Sequence, residues 1–206
     1  LTEFLLPQAA TVTAIEKETR FIPHLKARFP TLHLIHGDAL ETDYTSLPSP
    51  PTKVVANIPY NITSHLLEIL FAKKIKTLTL ITQHDLAKRI VAIPQTKDYG
   101  PLTLLAQFYS LPKLIAKISP HCFYPEPNVD SALLHFTLHT HPLPPSDIPS
   151  FFTFCRHTFT MRRKTLRKIL QIPLDSFLEK HNLSPNARPE ELSLPLWIQL
   201  WGYVKK

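Results

Sequence analysis

Four consecutive residues, Asn57-Ile58-Pro59-Tyr60, combine a side-chain amide, a proline and an aromatic ring. Proline cannot donate to a sheet ladder, so a strand that reaches Asn57 must stop there. Ile58, which precedes the proline, is pushed out of the helical region. The main chain is then extended, and a carbonyl around Pro59 can face a cleft rather than a neighbouring strand. This set suits one task well. The exocyclic amine of a nucleobase is a poor nucleophile, because its lone pair is delocalised into the ring. Two acceptors, the Asn57 side-chain oxygen and a backbone carbonyl at Pro59, can bind its two N–H groups and draw the nitrogen toward tetrahedral geometry as positive charge develops. That is transition-state stabilisation by fixed dipoles. Tyr60 can stack on the base, worth roughly 1–3 kcal/mol. An ordinary strand-to-helix turn is the competing reading of the same tetrapeptide.

Two carboxylates stand at comparable places. A short β-rich run over residues 11–16 ends at Glu16, and a second over 32–36 is followed by Gly37 and Asp38. In an open α/β sheet, ligands bind beyond the carboxyl ends of the strands. A carboxylate at Glu16 can accept both ribose hydroxyls, and Asp38 can accept from an adenine amino group. With Asn57 closing a third strand, three successive strand ends carry polar groups suited to a nucleoside. Taken singly, each also reads as a strand-end cap.

Arg162, Arg163, Lys164, Arg167 and Lys168 form a basic cluster on an expected helix. It reads either as a phosphate-contacting surface or as a solvated face; phosphate contacts position a protein without reading sequence. His135, His139 and His141 have a spacing that suggests metal ligands, but no carboxylate or cysteine stands near them in sequence. They are expected to be structural or exposed, and no metal site is expected. Cys155, beside Arg156 and His157, reads as a packed helix residue rather than a nucleophile. Trp197 and Trp201, four residues apart, read as core rather than as an RNA platform.

These side chains need elements to position them. The pattern predicts strands over 11–16, 32–36, 53–57, 76–82, 113–118 and 131–138. It predicts helices over 17–29, 62–74, 85–92 and 101–109, with Thr2 as the cap of a short opening helix and a proline-rich loop over 47–52. Short apolar strands alternating with helices imply an α/β fold, a mainly parallel sheet covered on both faces. The last two strands have no helical pattern between them and are expected to be antiparallel. Residues 139–150 read as a linker by composition. Helices are expected over 151–170, 174–181 and 192–203, a small helical bundle that is marginal alone and should pack on the sheet domain. The expected domains are therefore 1–145 and 146–206.

Composition bounds the partners. Of 206 residues, 44% are hydrophobic and 19% charged, a globular mixture able to bury a core. No apolar run reaches the ~18 residues of a membrane span. The two cysteines lack a CxxC spacing, which fits a reducing, cytoplasmic setting. Three glycines against 21 prolines leave no glycine-rich phosphate loop in the chain. The net charge is +7, unevenly placed. Residues 1–150 carry 13 lysines and arginines against 12 acids, whereas residues 151–206 carry 10 against 4. A basic C-terminal part points to a polyanion, most often nucleic acid.

Asn57-Ile58-Pro59-Tyr60 resembles the motif of amino-group methyltransferases that use S-adenosyl-L-methionine. More closely, the chain resembles the rRNA adenine dimethyltransferases. Phe123-Tyr124-Pro125-Glu126-Pro127-Asn128-Val129-Asp130-Ser131 matches that family's F-x-P-x-P-x-V-[D/N]-S signature. Tyr99-Gly100-Pro101-Leu102 followed by Ala106-Gln107-Phe108-Tyr109 resembles its Y-G-x-L…A-Q-[YF]-Y segment. Arg162-Arg163-Lys164-Thr165-Leu166-Arg167 and Arg188-Pro189-Glu190-Glu191-Leu192 resemble the C-terminal segments of its KsgA branch, which acts on small-subunit rRNA. The resemblance implies a Rossmann-like methyltransferase domain, a helical rRNA-binding domain, and two successive methyl transfers from S-adenosyl-L-methionine to an adenine amino group in small-subunit (16S) rRNA. It places Glu16 on the cofactor ribose, Asp38 and Ala39 at the cofactor adenine, and Asn57 between cofactor and target amine. Pro59 offers its carbonyl, and Tyr60 and Phe123 stack on the two faces of the flipped base.

The family opens with a strand and a G-x-G-x-G loop, and neither is found in this chain. The expectation is that the loop precedes Leu1, so that a central strand and about half of the cofactor site lie outside the chain as read, with correspondingly weak cofactor binding. Two competing functions remain at this stage. One is the Erm type, which modifies large-subunit rRNA and shares Asn-Ile-Pro-Tyr. The other is a non-catalytic RNA-binding ribosome-assembly factor. The expected partner is the assembling small subunit, and the expected state a cytoplasmic monomer.

Overall fold

A computed structural model describes residues 1–47 and 49–205; Pro48, in the expected proline-rich loop, and Lys206 lie outside the described residues. The chain forms two compact units. One is Leu1–Thr52 with Asn61–Ile75; the other is Lys53–Tyr60 with the chain from Lys76 onward.

The first unit holds α1 (Thr2–Leu5), β1 (Thr13–Glu16), α2 (Ile22–Arg28), β2 (His33–His36) and α3 (Thr63–Phe71). β1 and β2 pair in parallel, with Thr13 opposite His33 and Glu16 opposite His36. The two strand ends bearing Glu16 and Asp38 are thus level. Thr2 is not the cap of α1; it is already helical, and Leu1 occupies the cap position. The helix expected from residue 17 starts later. Glu18 is extended, Thr19–Phe21 make a 3-10 turn, and α2 begins at Ile22 with Pro23 in its first turn, where the missing N–H removes no helical bond. α3 buries Thr63, Leu66, Leu67, Leu70 and Phe71, the stripe expected of an amphipathic helix.

The second unit holds β3 (Lys53–Asn57), β4 (Thr77–Gln83), α4 (His84–Ile90), α5 (Pro101–Tyr109), β5 (Ser110–Ile118) and β6 (Ser131–Leu138). Its sheet runs β3-β4-β6-β5. β3 and β4 are parallel, while β6 is antiparallel to both β4 and β5. The strands are therefore shared between two sheets, and the larger one is mixed rather than mainly parallel. The physical cause is the connection between β5 and β6. It contains a 3-10 turn over Pro120–Cys122 but no α-helix to carry a crossover, so β6 returns antiparallel and inserts beside β4. Leu78, Leu80, Leu134 and Phe136 are at most 1% exposed and form the core of this sheet.

The C-terminal helices are α6 (Ile148–Thr160), α7 (Leu166–Leu170), α8 (Asp175–Lys180) and α9 (Leu194–Val204). They share their core with α5. Phe108 lies 5.6 Å from Phe151 and 5.2 Å from Phe152, ring to ring, and Phe159 stacks on Trp197 at 5.2 Å. Trp197 and Trp201 are buried, as a core role requires. The helix expected over 151–170 is broken: residues 161–165 form a turn between α6 and α7. Among the described residues, no helix is long and apolar enough to cross a membrane.

Candidate active site

β3 ends at Asn57, opposite Ile81 of β4, and the Ile58 N–H donates to the Ile81 carbonyl at 3.2 Å. Asn57 and Pro59 are exposed, whereas Ile58 between them is buried. Alternation along the extended chain does this: the apolar residue anchors the segment, and its neighbours face outward. Tyr60 opens a 3-10 turn and is half-buried. Its hydroxyl hydrogen-bonds the Ser131 hydroxyl at 2.6 Å. Ser131 is fully buried and begins β6, opposite Gln83 of β4 and Ile118 of β5. Pro59 is engaged within the fold as well; a backbone carbonyl has two lone pairs and can serve a second donor.

The segment ending at Ser131 is itself held. Lys117 pairs with Asp130 at 2.7 Å, and the Asp130 carbonyl accepts the His84 N–H at 2.9 Å. Phe123 is half-buried and follows the 3-10 turn, with its N–H donating to Pro120. Its neighbour Tyr124 is fully exposed. The two sequence motifs are thus joined by the Tyr60–Ser131 bond, between residues 71 apart, which no local pattern announces.

In the first unit, Glu16 is half-buried, and one of its carboxylate oxygens accepts the Glu18 N–H at 2.7 Å. Asp38 is more heavily committed. It accepts from Lys17 Nζ at 2.7 Å and from the Leu40 N–H at 2.8 Å. The Lys17 hydrogen bond first, and the Leu40 N–H second, hold its carboxyl below the usual carboxylate range. The Asp38 carbonyl also accepts the Thr42 hydroxyl, and the Ala39 carbonyl accepts the Tyr44 hydroxyl, so this turn is built rigidly. A hollow of about 400 Å³ opens here, lined by Gly37, Asp38, Glu41 and Thr42 among others. Asp38 lines it, and Glu16 and Ala39 do not.

The basic cluster needs revision. Arg162, Arg163 and Lys164 sit in the turn after α6, and only Arg167 and Lys168 are on a helix. Arg162 is bonded within the fold. Its guanidinium donates to Glu190 at 2.8 Å, to the Lys97 carbonyl at 2.6 Å and to the Thr96 carbonyl at 2.9 Å. These bonds pull the residue inward. Arg167 pairs with Asp175. Arg163, Lys164 and Lys168 remain exposed.

The histidines have structural partners. His135 Nδ1 pairs with the Thr79 hydroxyl, His139 Nδ1 with the Thr140 carbonyl, and His141 stacks on Phe108 at 4.9 Å. Cys155 is fully buried, and burial pushes its thiol far up, which suits packing and not nucleophilic attack.

The sequence profile of the family described as ribosomal RNA adenine dimethylase matches residues 1–206. The chain belongs to that family. Among curated members of the adenine dimethylase family, a protein named "Ribosomal RNA small subunit methyltransferase A" from Hahella chejuensis is 35% identical over 214 residues, covering 99% of this chain and 78% of the relative. The protein of the same name from Chlamydia trachomatis serovar L2 is 37% identical over 218 residues, covering all of this chain and 78% of the relative. Two solved structures share the fold of this family member. A dimethyladenosine transferase from Plasmodium falciparum superposes with a TM-score of 0.78 at 21% identity, covering 99% of this chain and 86% of the other. The 23S rRNA methyltransferase ErmE superposes with a TM-score of 0.70 at 23% identity, covering 100% and 86%. At those identities the likeness establishes the Rossmann-like methyltransferase fold and not the substrate.

Proposed function

We propose that this protein dimethylates the exocyclic amino group of adenines in small-subunit (16S) rRNA, with S-adenosyl-L-methionine as the methyl donor. The observation that carries the reading is the Asn57–Tyr60 segment at the end of β3, pinned to Ser131 of the second motif. The names of the 35–37% identical relatives support the small subunit as the substrate source. Work in the cytoplasm, as a monomer on the assembling subunit, is part of the same proposal.

The residues present fit the donor. Glu16 keeps one carboxylate oxygen outside its bond to Glu18, which suits a ribose diol. Asp38 is held ionised and, through its remaining lone pairs, can accept from an adenine amino group, with Ala39 beside it. Glu16, Asp38 and Ala39 would hold the donor, which supplies an electrophilic methyl group. The protein's own task is then confined to the amine. The exposed Asn57 side-chain oxygen and the Pro59 carbonyl accept its two N–H groups, which localises the lone pair on nitrogen. Tyr60, fixed through its hydroxyl, and Phe123 offer faces for the extruded base, offsetting an unstacking cost of a few kcal/mol. Arg163, Lys164 and Lys168 are the exposed cations of the C-terminal turn and helix that would meet rRNA phosphates.

Two methyl groups remove both N–H donors of the adenine amino group, including the one that pairs on the Watson–Crick edge, so the product stops reverse transcriptase. Primer extension on both rRNAs from cells lacking the gene tests the proposal. The expected result is loss of a stop on the small-subunit rRNA alone. A stop lost from the large-subunit rRNA instead would overturn it.

A further inference from the structure

Three strands of the second unit bring their ends to one edge of its sheet. Asn57 ends β3 opposite Ile81 of β4, and Gln83 ends β4 opposite Ser131, where β6 starts. Ser131 also faces Ile118, the last residue of β5. The chain from Ile118 to Ser131 is therefore an arch, and its feet stand at the strand ends beyond which ligands bind in such sheets. Two pairs cross it. At the feet Lys117 meets Asp130 at 2.7 Å, and higher up His121 Nδ1 lies 2.9 Å from a Glu126 carboxylate oxygen. Between the pairs, the Cys122 N–H donates to the Ser119 carbonyl at 3.1 Å and the Phe123 N–H to the Pro120 carbonyl at 3.0 Å.

The top of the arch carries Phe123 and Tyr124. Phe123 is extended, with φ −121° and ψ 151°, so the side chain that follows it leaves the backbone on the opposite side. Burial agrees: Phe123 is half-buried, while Tyr124 is 101% exposed. Residues 119–129 contain no lysine or arginine, and the carboxylates of Glu126 and Asp130 are both paired. The tip thus offers no cation to a phosphate. It offers a bare aromatic face, which suits the π-face of a base.

We infer that Tyr124 stacks on the nucleotide next to the target adenine. The inference rests on the rRNA-methylation reading. Extruding one base from a stack leaves a face of its neighbour bare, which is part of the cost of extrusion. Phe123 is the residue assigned to the extruded base, and Tyr124 leaves the same arch on the other side, one residue along. Its ring covers the face that the extruded adenine has vacated. Tyr124 is thereby a positioning residue: it touches the RNA beside the reacting nucleotide and not the amine itself.

The test uses small subunits from cells lacking the gene, and reads Kd, KM, kcat and the salt dependence of binding. Tyr124→Ala should raise Kd and KM about five- to thirtyfold and change kcat by less than about twofold. The slope of log K against log salt should stay parental, because no phosphate contact is lost. Tyr124→Phe and Tyr124→Trp keep a ring and should bind as the parent does. Tyr124→Leu keeps apolar area without a π-face and should behave as alanine does. The side chain is fully exposed, so every variant should melt with the parent. Parental KM in Tyr124→Ala overturns the inference, and so does parental KM in Tyr124→Leu, which would mark a merely apolar contact. A photo-crosslinking phenylalanine analogue at position 124 then locates the partner. The expected crosslink is to the nucleotide beside the methylated adenine; a crosslink to a ribosomal protein, or to rRNA elsewhere, overturns the inference. If the parent binds the subunits but transfers no methyl group, the methylation reading fails by itself. A Kd that follows the ring would then still place Tyr124 on a base, and a Kd indifferent to the ring would overturn that as well.

Discussion

Ser131 is the residue whose importance is least visible in its type. A serine at the start of a strand is unremarkable in sequence, yet its buried hydroxyl holds Tyr60 at 2.6 Å. Losing one neutral hydrogen bond costs about 1 kcal/mol, equivalent to roughly a fivefold change. Ser131→Ala and Tyr60→Phe should each lower methyl transfer by about that factor, mainly in kcat. Because both remove the same bond, the double variant should be no worse than the poorer single one; additive losses would show separate roles. Cysteine chemistry gives an independent check on local packing. Cys122 is exposed and Cys155 buried. A thiol reagent should modify one cysteine in the native protein and both after unfolding. Reaction of Cys155 in the native state would contradict its packing inside α6.

At the scale of elements, the expected bounds of β3, α5 and β6 match the structure, because each has an unbroken pattern and a clear stop: Pro59 after β3, Gly100 before α5, Asp130 before β6. The break after α6 was not legible. Residues 161–165 have acceptable helical composition, and in the fold Arg162 reaches instead to Glu190 and the 96–97 carbonyls. The Tyr99–Tyr109 segment likewise turns out to carry architecture: the buried Tyr99 hydroxyl donates to the Leu192 carbonyl at 2.7 Å. Arg162→Ala should therefore lower stability by about 2 kcal/mol, against under about 0.5 kcal/mol for Arg163→Ala, measured by urea unfolding. Equal effects would contradict the assignment of Arg162 to the fold.

The turn after β2 gives a pH prediction. Asp38 has a carboxyl lowered from 3.8 by Lys17 and Leu40. A group whose folded pKa is depressed contributes fully above its unfolded value and loses that contribution as pH falls through the folded one. The Leu40 amide signal should stay constant from neutrality down to about pH 4 and move only in stronger acid. Movement near neutrality would contradict the pairing.

At the scale of the whole molecule, charge placement and motif order pointed to RNA and to amine methylation, while the lone glycines withheld a phosphate loop. What the sequence could not reveal is where each cation ends up. Arg162 and Arg167 are paired within the fold, and Arg156, distant in the chain from Arg89 and Lys97, lines one hollow with them. Convergence of that kind is a property of packing and leaves no periodic trace. The proposed grip of Asn57 on the adenine amine is the step that decides the function. Its most direct test replaces the gene with the Asn57→Ala allele and measures N6,N6-dimethyladenosine in small-subunit rRNA by mass spectrometry. The account predicts a fall of at least about a hundredfold with the protein still folded and bound to rRNA. Undiminished dimethyladenosine in that strain would contradict it.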